Sequence, residues 1–126
     1  MCKIIGIGTD MCAIGRIEKA IAKQHFCERV YTEQERAYLE TKGKQKAASA
    51  AAMFAAKEAA AKALGTGFAK GVSIADIEVT HDEYGAPGLR LTGGAKARME
   101  ALGGRQAFLS LSHEGDMALA FALIQG

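Results

Sequence analysis

Asp10 and the three charges of an alanine-rich stretch, Lys57, Glu58 and Lys62, are the residues in this chain whose types and spacing could do chemistry. Glu58 and Lys62 stand four apart in "MFAAKEAAAKALG", an order that brings carboxylate and ammonium together on one helix face. Such a pair either neutralises itself on a solvated stripe or turns toward a ligand. Lys57 lies about 100° away around the same helix and is poorly placed to share Glu58, which leaves one of the three charges for an anion or another partner. Asp10 closes "KIIGIGTD" and precedes a helical pattern. It reads either as an N-cap or as a hard-oxygen ligand for a divalent cation. Magnesium is often held by one or two carboxylates, with waters and substrate phosphates completing its shell, so a site of this kind leaves no short motif. His113, in "LSLSHEGD", is either a hydrogen-bonded structural residue or a base. Ser110 and Ser112 alternate with Leu109 and Leu111 as on a half-exposed strand and lack the GxSxG setting of a nucleophile. Gly6-x-Gly8 lacks the third glycine of a dinucleotide fingerprint and instead suits close approach of another backbone.

The elements that must position these groups follow from pattern. Ile4, Ile5 and Ile7 predict a strand over 3–9, stopped at Thr-Asp. Ile14, Ile17 and Ile21 recur at helical spacing, with Arg16, Glu18, Lys19 and Lys23 off that line, which predicts an amphipathic helix over 12–24. Thr32 and Glu35 form a capping-box pattern opening a helix near 33–41. Eleven of the seventeen residues from 47 to 63 are Ala, so a long helix is expected from Gln45 to Leu64, with Gly65 as its C′ residue. A helix so small-sided lets other backbones come close. Strands are expected on either side of the "YGAPG" turn, a short helix over 94–102, and a terminal hairpin around "EGD". About five strands and four helices, with helices early and strands late, define an α+β fold.

The chain has 126 residues, enough for one domain spanning 1–126 with a real core. A net charge of +2 with no Lys/Arg block argues against nucleic acid. Cys2, Cys12 and Cys27, odd in number and without CxxC spacing, fit reduced thiols in a cytoplasmic protein. The longest apolar stretch, Ala47 to Ala56, is about half of the ~20 residues that a membrane span needs.

"GIGTD", "RIE", "FAAKEAAAKALGTG", "DIEVTHDEYGAPGLRL" and "LSLSHEGDMALAFAL" follow one another in an order that resembles the holo-acyl-carrier-protein synthases, the short single-repeat 4′-phosphopantetheinyl transferases. The similarity runs essentially end to end. It implies that family's fold, about five mainly antiparallel strands packed with a long Ala-rich helix and shorter helices. It implies a Mg²⁺-dependent transfer of 4′-phosphopantetheine from coenzyme A to a serine of an apo acyl carrier protein, releasing adenosine 3′,5′-bisphosphate. By the same resemblance Asp10 and Glu58 bind the metal, Lys62 contacts phosphate, and Gly65 and His113 belong to the coenzyme A site. Arg16, with Lys19 and Lys23, lies on the first helix, which in the family helps to dock the carrier; a solvated helix face is the plain alternative. Glu58, Asp10 or a water on the metal would take the serine proton. A homotrimer with active sites between subunits is implied as well. Two positions depart from the pattern: Met53 stands where many relatives carry a basic residue, and Ala13 where many carry an acid. The competing classes are a non-catalytic module binding coenzyme A or a carrier, and a structural trimerisation domain.

Overall fold

The computed structural model describes residues 2–126. The chain folds as β1 (Ile4–Ala13), α1 (Ile14–Ile21), α2 (Gln24–Val30), α3 (Glu33–Glu40), α4 (Lys46–Ala63), β2 (Ile77–His81), β3 (Pro87–Leu91), α5 (Gly93–Ala101), β4 (Gln106–Glu114) and β5 (Met117–Gln125). Short 3-10 turns precede α4 and β2. The fold is α+β, as expected. β1, β5 and β4 form one antiparallel sheet in that order, and β2 pairs with β3 in a second.

The small residues of α4 decide how the layers meet. A Cβ added at Gly6 would overlap the Ala63 carbonyl oxygen, and one at Gly8 the Ala59 oxygen. Beside them Ala118, Ala120 and Ala122 of β5 are wholly buried, as are Ala59 and Ala61 of α4. Helix and sheet therefore touch almost backbone to backbone, which is the use of Gly6-x-Gly8 that the sequence suggests. Two residues of strand advance about 6.6 Å and four residues of helix about 6.0 Å, so strand and helix step together. Continued by one step, the match sets Asp10 beside the turn of α4 that carries Glu58.

Three expectations change. β1 does not stop at Thr9-Asp10; it runs to Ala13, because Asp10, Met11 and Cys12 pair with Ala120, Leu119 and Ala118 of β5. Asp10 is thus a strand residue and not an N-cap; the residue before α1 is Ala13, which makes no side-chain cap. The expected helix over 12–24 is correspondingly shorter, and a further helix, α2, follows it. That makes five helices of the α type among the described residues, one more than expected.

The Thr32–Glu35 capping box forms in full, and Gly65 closes α4 with φ 79°. Glu35 has a second task. Its carboxylate, fully buried, lies 2.7 Å from Lys57 Nζ, accepts from Val79 N at 2.7 Å, and takes the Thr32 N–H at 2.8 Å. Lys57 also donates to the Ile77 carbonyl. Burial pushes the Lys57 ammonium toward its neutral form, and Glu35 opposes that. Lys57 is therefore the internal cross-link of α3, α4 and β2, and its charge is spent inside the protein.

Candidate active site

Asp10 on β1 and Lys62 on α4 meet at 3.1 Å, and Lys62 Nζ also donates to the Thr9 carbonyl at 3.0 Å. The sequence pattern pairs Lys62 with Glu58, but the tight helix–strand seam offers it Asp10 instead. Glu58 stands beside both. Its proton affinity is raised, first by burial and then by the negative charge of Asp10, while Lys62 and Arg16 pull the other way. The site thus gathers two carboxylates, the charge of one raising the proton affinity of the other, with two cations beside them, a set able to meet a ligand that carries both signs of charge.

Arg16 reaches this site from the first turn of α1. Its guanidinium lies 5.7 Å from the centre of the Phe54 ring and contacts Cys12 Sγ at 3.9 Å. Burial pushes the Cys12 thiol upward and away from reactivity, and Arg16 only partly offsets this. Phe54 and Glu58 line a groove of about 520 Å³ together with Phe26, Phe68, Val72 and Ile74. Phe26 and Phe54 stack at 6.1 Å, and Arg29 lies 5.7 Å over Phe26. This aromatic groove is the part of the site that pattern reading misses; its three phenylalanines are 14 to 42 positions apart, from 26 through 54 to 68, and share no periodicity.

Gly65 is exposed at the end of α4, its N–H bonded to the Lys62 carbonyl at 2.9 Å, and Arg98 of α5 secures the preceding carbonyl of Leu64 at 3.0 Å. His113 lies elsewhere. On β4, two strands from β1, it pairs with Ala118 of β5 and lines a hollow of about 290 Å³ with Tyr38, Ser49, Ala52, His81 and Pro87. None of Asp10, Glu58 or Lys62 lines that hollow, and its α4 wall lies at least six residues before Glu58, about 9 Å of helical rise. Within one chain His113 does not join the carboxylate pair. Of the two departures from the family pattern, Met53 is fully buried in the core and offers nothing to the surface. Ala13 stands at the β1–α1 junction.

Residues 6–122 match the family model of the 4′-phosphopantetheinyl transferase superfamily. The holo-[acyl-carrier-protein] synthase of Halorhodospira halophila is 46% identical over 123 residues, which cover 96% of this chain and 97% of that protein. The crystal structure of the Neisseria meningitidis holo-[acyl-carrier-protein] synthase superposes with a TM-score of 0.85 at 37% identity, covering 97% of this chain and 98% of the other. That of the Helicobacter pylori enzyme in complex with coenzyme A gives 0.81 at 32% identity, covering 94% and 98%. The chain belongs to the 4′-phosphopantetheinyl transferase superfamily, among its holo-acyl-carrier-protein synthases. It is accordingly a transferase of that class, which displaces the non-catalytic alternatives.

Proposed function

We propose that the protein transfers 4′-phosphopantetheine from coenzyme A to a serine of an apo acyl carrier protein, with Mg²⁺ as cofactor, in the cytoplasm. The observation that carries this reading is the convergence of Asp10, Glu58 and Lys62 at the β1–α4 seam. The donor set fits magnesium: two hard carboxylates whose mutual repulsion a cation would relieve. Among the described residues no third His, Cys, Asp or Glu joins them, which leaves the remaining positions to water and substrate phosphate. Bound by Asp10 and Glu58, the ion would neutralise charge on the diphosphate as it builds.

The carrier serine Oγ attacks the phosphorus attached to pantetheine, the bond from that phosphorus to the bridging oxygen breaks, and adenosine 3′,5′-bisphosphate leaves. Lys62 places an ammonium against the phosphates once a ligand competes for it with Asp10. The serine proton goes to Glu58, Asp10 or a water on the metal, the three acceptors that the site would offer. Gly65 lets the chain turn at the end of α4 without a side chain in the ligand's way. Arg16, exposed with Lys19 on α1 at the mouth of the aromatic groove, receives an acidic carrier.

The outer face of the β1–β5–β4 sheet supports self-association. Ile7 is 60% and Met11 61% exposed, and Leu119, Phe121 and Phe108 continue the same apolar face. Among the described residues nothing covers it. A homotrimer closing on this face would bury it and let the His113 hollow of one subunit complete the Asp10–Glu58 site of the next. Light scattering should then return three times the chain mass.

Intact-mass spectrometry of apo carriers incubated with enzyme, coenzyme A and Mg²⁺ tests the reaction. A mass gain of one phosphopantetheine, lost when magnesium is chelated, is expected; no gain on any acyl carrier protein would end the reading. Arg16→Glu is expected to raise the carrier KM about tenfold at low ionic strength, with the difference shrinking as salt screens the attraction.

A further inference from the structure

The hollow around His113 contains a second histidine that the reaction does not use. His81, the last residue of β2, lies flat on Tyr38 of α3, with ring centres 3.9 Å apart and planes 6° from parallel. Lys42, just past α3, sits 5.1 Å from the centre of the same Tyr38 ring. His81 also leads into the turn that walls the hollow through Gly85 and Pro87. That turn is braced at its base: Asp82 Oδ1 accepts from Tyr84 N and Ala86 N at 2.8 Å each, and Pro87 is the strand partner of His81. The stack therefore ties helix α3 to one wall of the hollow, beyond the Glu35–Val79 bond further up β2.

We propose that His81 is a positioning residue for coenzyme A binding: while its imidazole is uncharged it stays clamped on Tyr38 and holds the 82–87 turn in place, and when the ring takes up a proton beside Lys42 the clamp loosens and the coenzyme binds less tightly. This rests on the assignment of the His113 hollow to coenzyme A. The charges facing the ring are few. Lys42 disfavours a second cation; Glu35 from α3 and Asp82 from the turn favour one. Glu35 is committed to Lys57, and Asp82 to two backbone N–H groups. The α4 wall, Ala48, Ser49 and Ala52, brings no charge. Burial and Lys42 outweigh the two acids and hold the imidazole below its ordinary value of about 6.5, so the uncharged ring prevails at neutral pH. His113 of β4 shares the hollow and is unaltered in every variant compared below, so its contribution is common to all of them.

Calorimetric Kd values for coenzyme A between pH 7.5 and pH 5.5 isolate the contribution of His81. In the unaltered protein Kd is expected to rise about fivefold on acidification beyond the change seen in His81→Phe, which keeps a stacked ring but cannot titrate. Protonation of the ligand's own phosphate is common to both and cancels. Lys42→Ala, a change outside the hollow, is expected to move the rise to higher pH, a shift that a merely structural stack would not produce. Identical pH profiles for the unaltered protein and His81→Phe would overturn the proposal. So would a Lys42→Ala profile that does not move. Absence of coenzyme A binding at pH 7.5 would instead overturn the assignment of the hollow together with it.

Discussion

Asp10→Ala and Glu58→Ala are each expected to lower the rate of phosphopantetheine transfer by about 10²–10³-fold or more at saturating magnesium, the usual effect of deleting one group that stabilises developing charge. Both side chains sit where the strand and helix of the seam converge, so neither can be replaced from a neighbouring turn. The loss should appear in kcat as well as KM, because charge on the bridging oxygen is greatest after the ground state has passed. Folding should hardly change. The Asp10–Lys62 pair has Lys62 about half exposed, and such pairs contribute at most about 1 kcal/mol. Removing Asp10 also relieves its repulsion of Glu58. Intact-mass time courses with an apo carrier give the rate, and a thermal melt gives the control. Transfer near the unaltered rate by either variant would remove the metal role assigned to the pair.

The second large effect lies one residue away and has the opposite character. Lys57→Met is expected to destabilise the fold by about 3–5 kcal/mol, because it leaves the Glu35 carboxylate buried without its countercharge. Adding Glu35→Leu should not restore stability fully. The buried Val79 N–H would still lack an acceptor, at a cost of about 1–3 kcal/mol, and the Thr32 N–H would lose its capping partner. Urea unfolding of both variants measures this. An unchanged midpoint for Lys57→Met would show that Lys57 is not the cross-link of α3, α4 and β2. Adjacent lysine and glutamate in "AAKEAA" thus point apart, Lys57 into the core and Glu58 toward the groove where the proposed chemistry would occur.

What could be read from the chain depended on whether the deciding interaction was local. The Thr32–Glu35 box, the Gly65 stop and the "EGD" hairpin are local, and the structure forms all three. The length of β1 is not local, since Thr9, Asp10 and Met11 stay extended only because β5 lies alongside. Likewise "QHFCERV" has no cap and little periodicity. It becomes α2 where Phe26 stacks on Phe54 and meets Tyr31 edge-on. At the site, the residue types of Asp10, Glu58 and Lys62 were legible, but not the pairing of Lys62 with Asp10 across 52 positions. Glu35 shows the same limit: its capping role is written in a four-residue pattern, its tie to Lys57 only in the packing.

The absence of side chains at Gly6 and Gly8 has a consequence for how this protein can vary. Most packed elements are spaced by the volume of what lies between them, so each aliphatic exchange nudges them apart or together. Along this seam the spacers are main chain at Gly6 and Gly8 and the single methyl groups of buried alanines, so little side-chain bulk lies between the layers that carry the two acids. The two acids are in effect gauged by a short ruler, so a side chain added at Gly6 or Gly8 would meet helix main chain at once and force the layers apart.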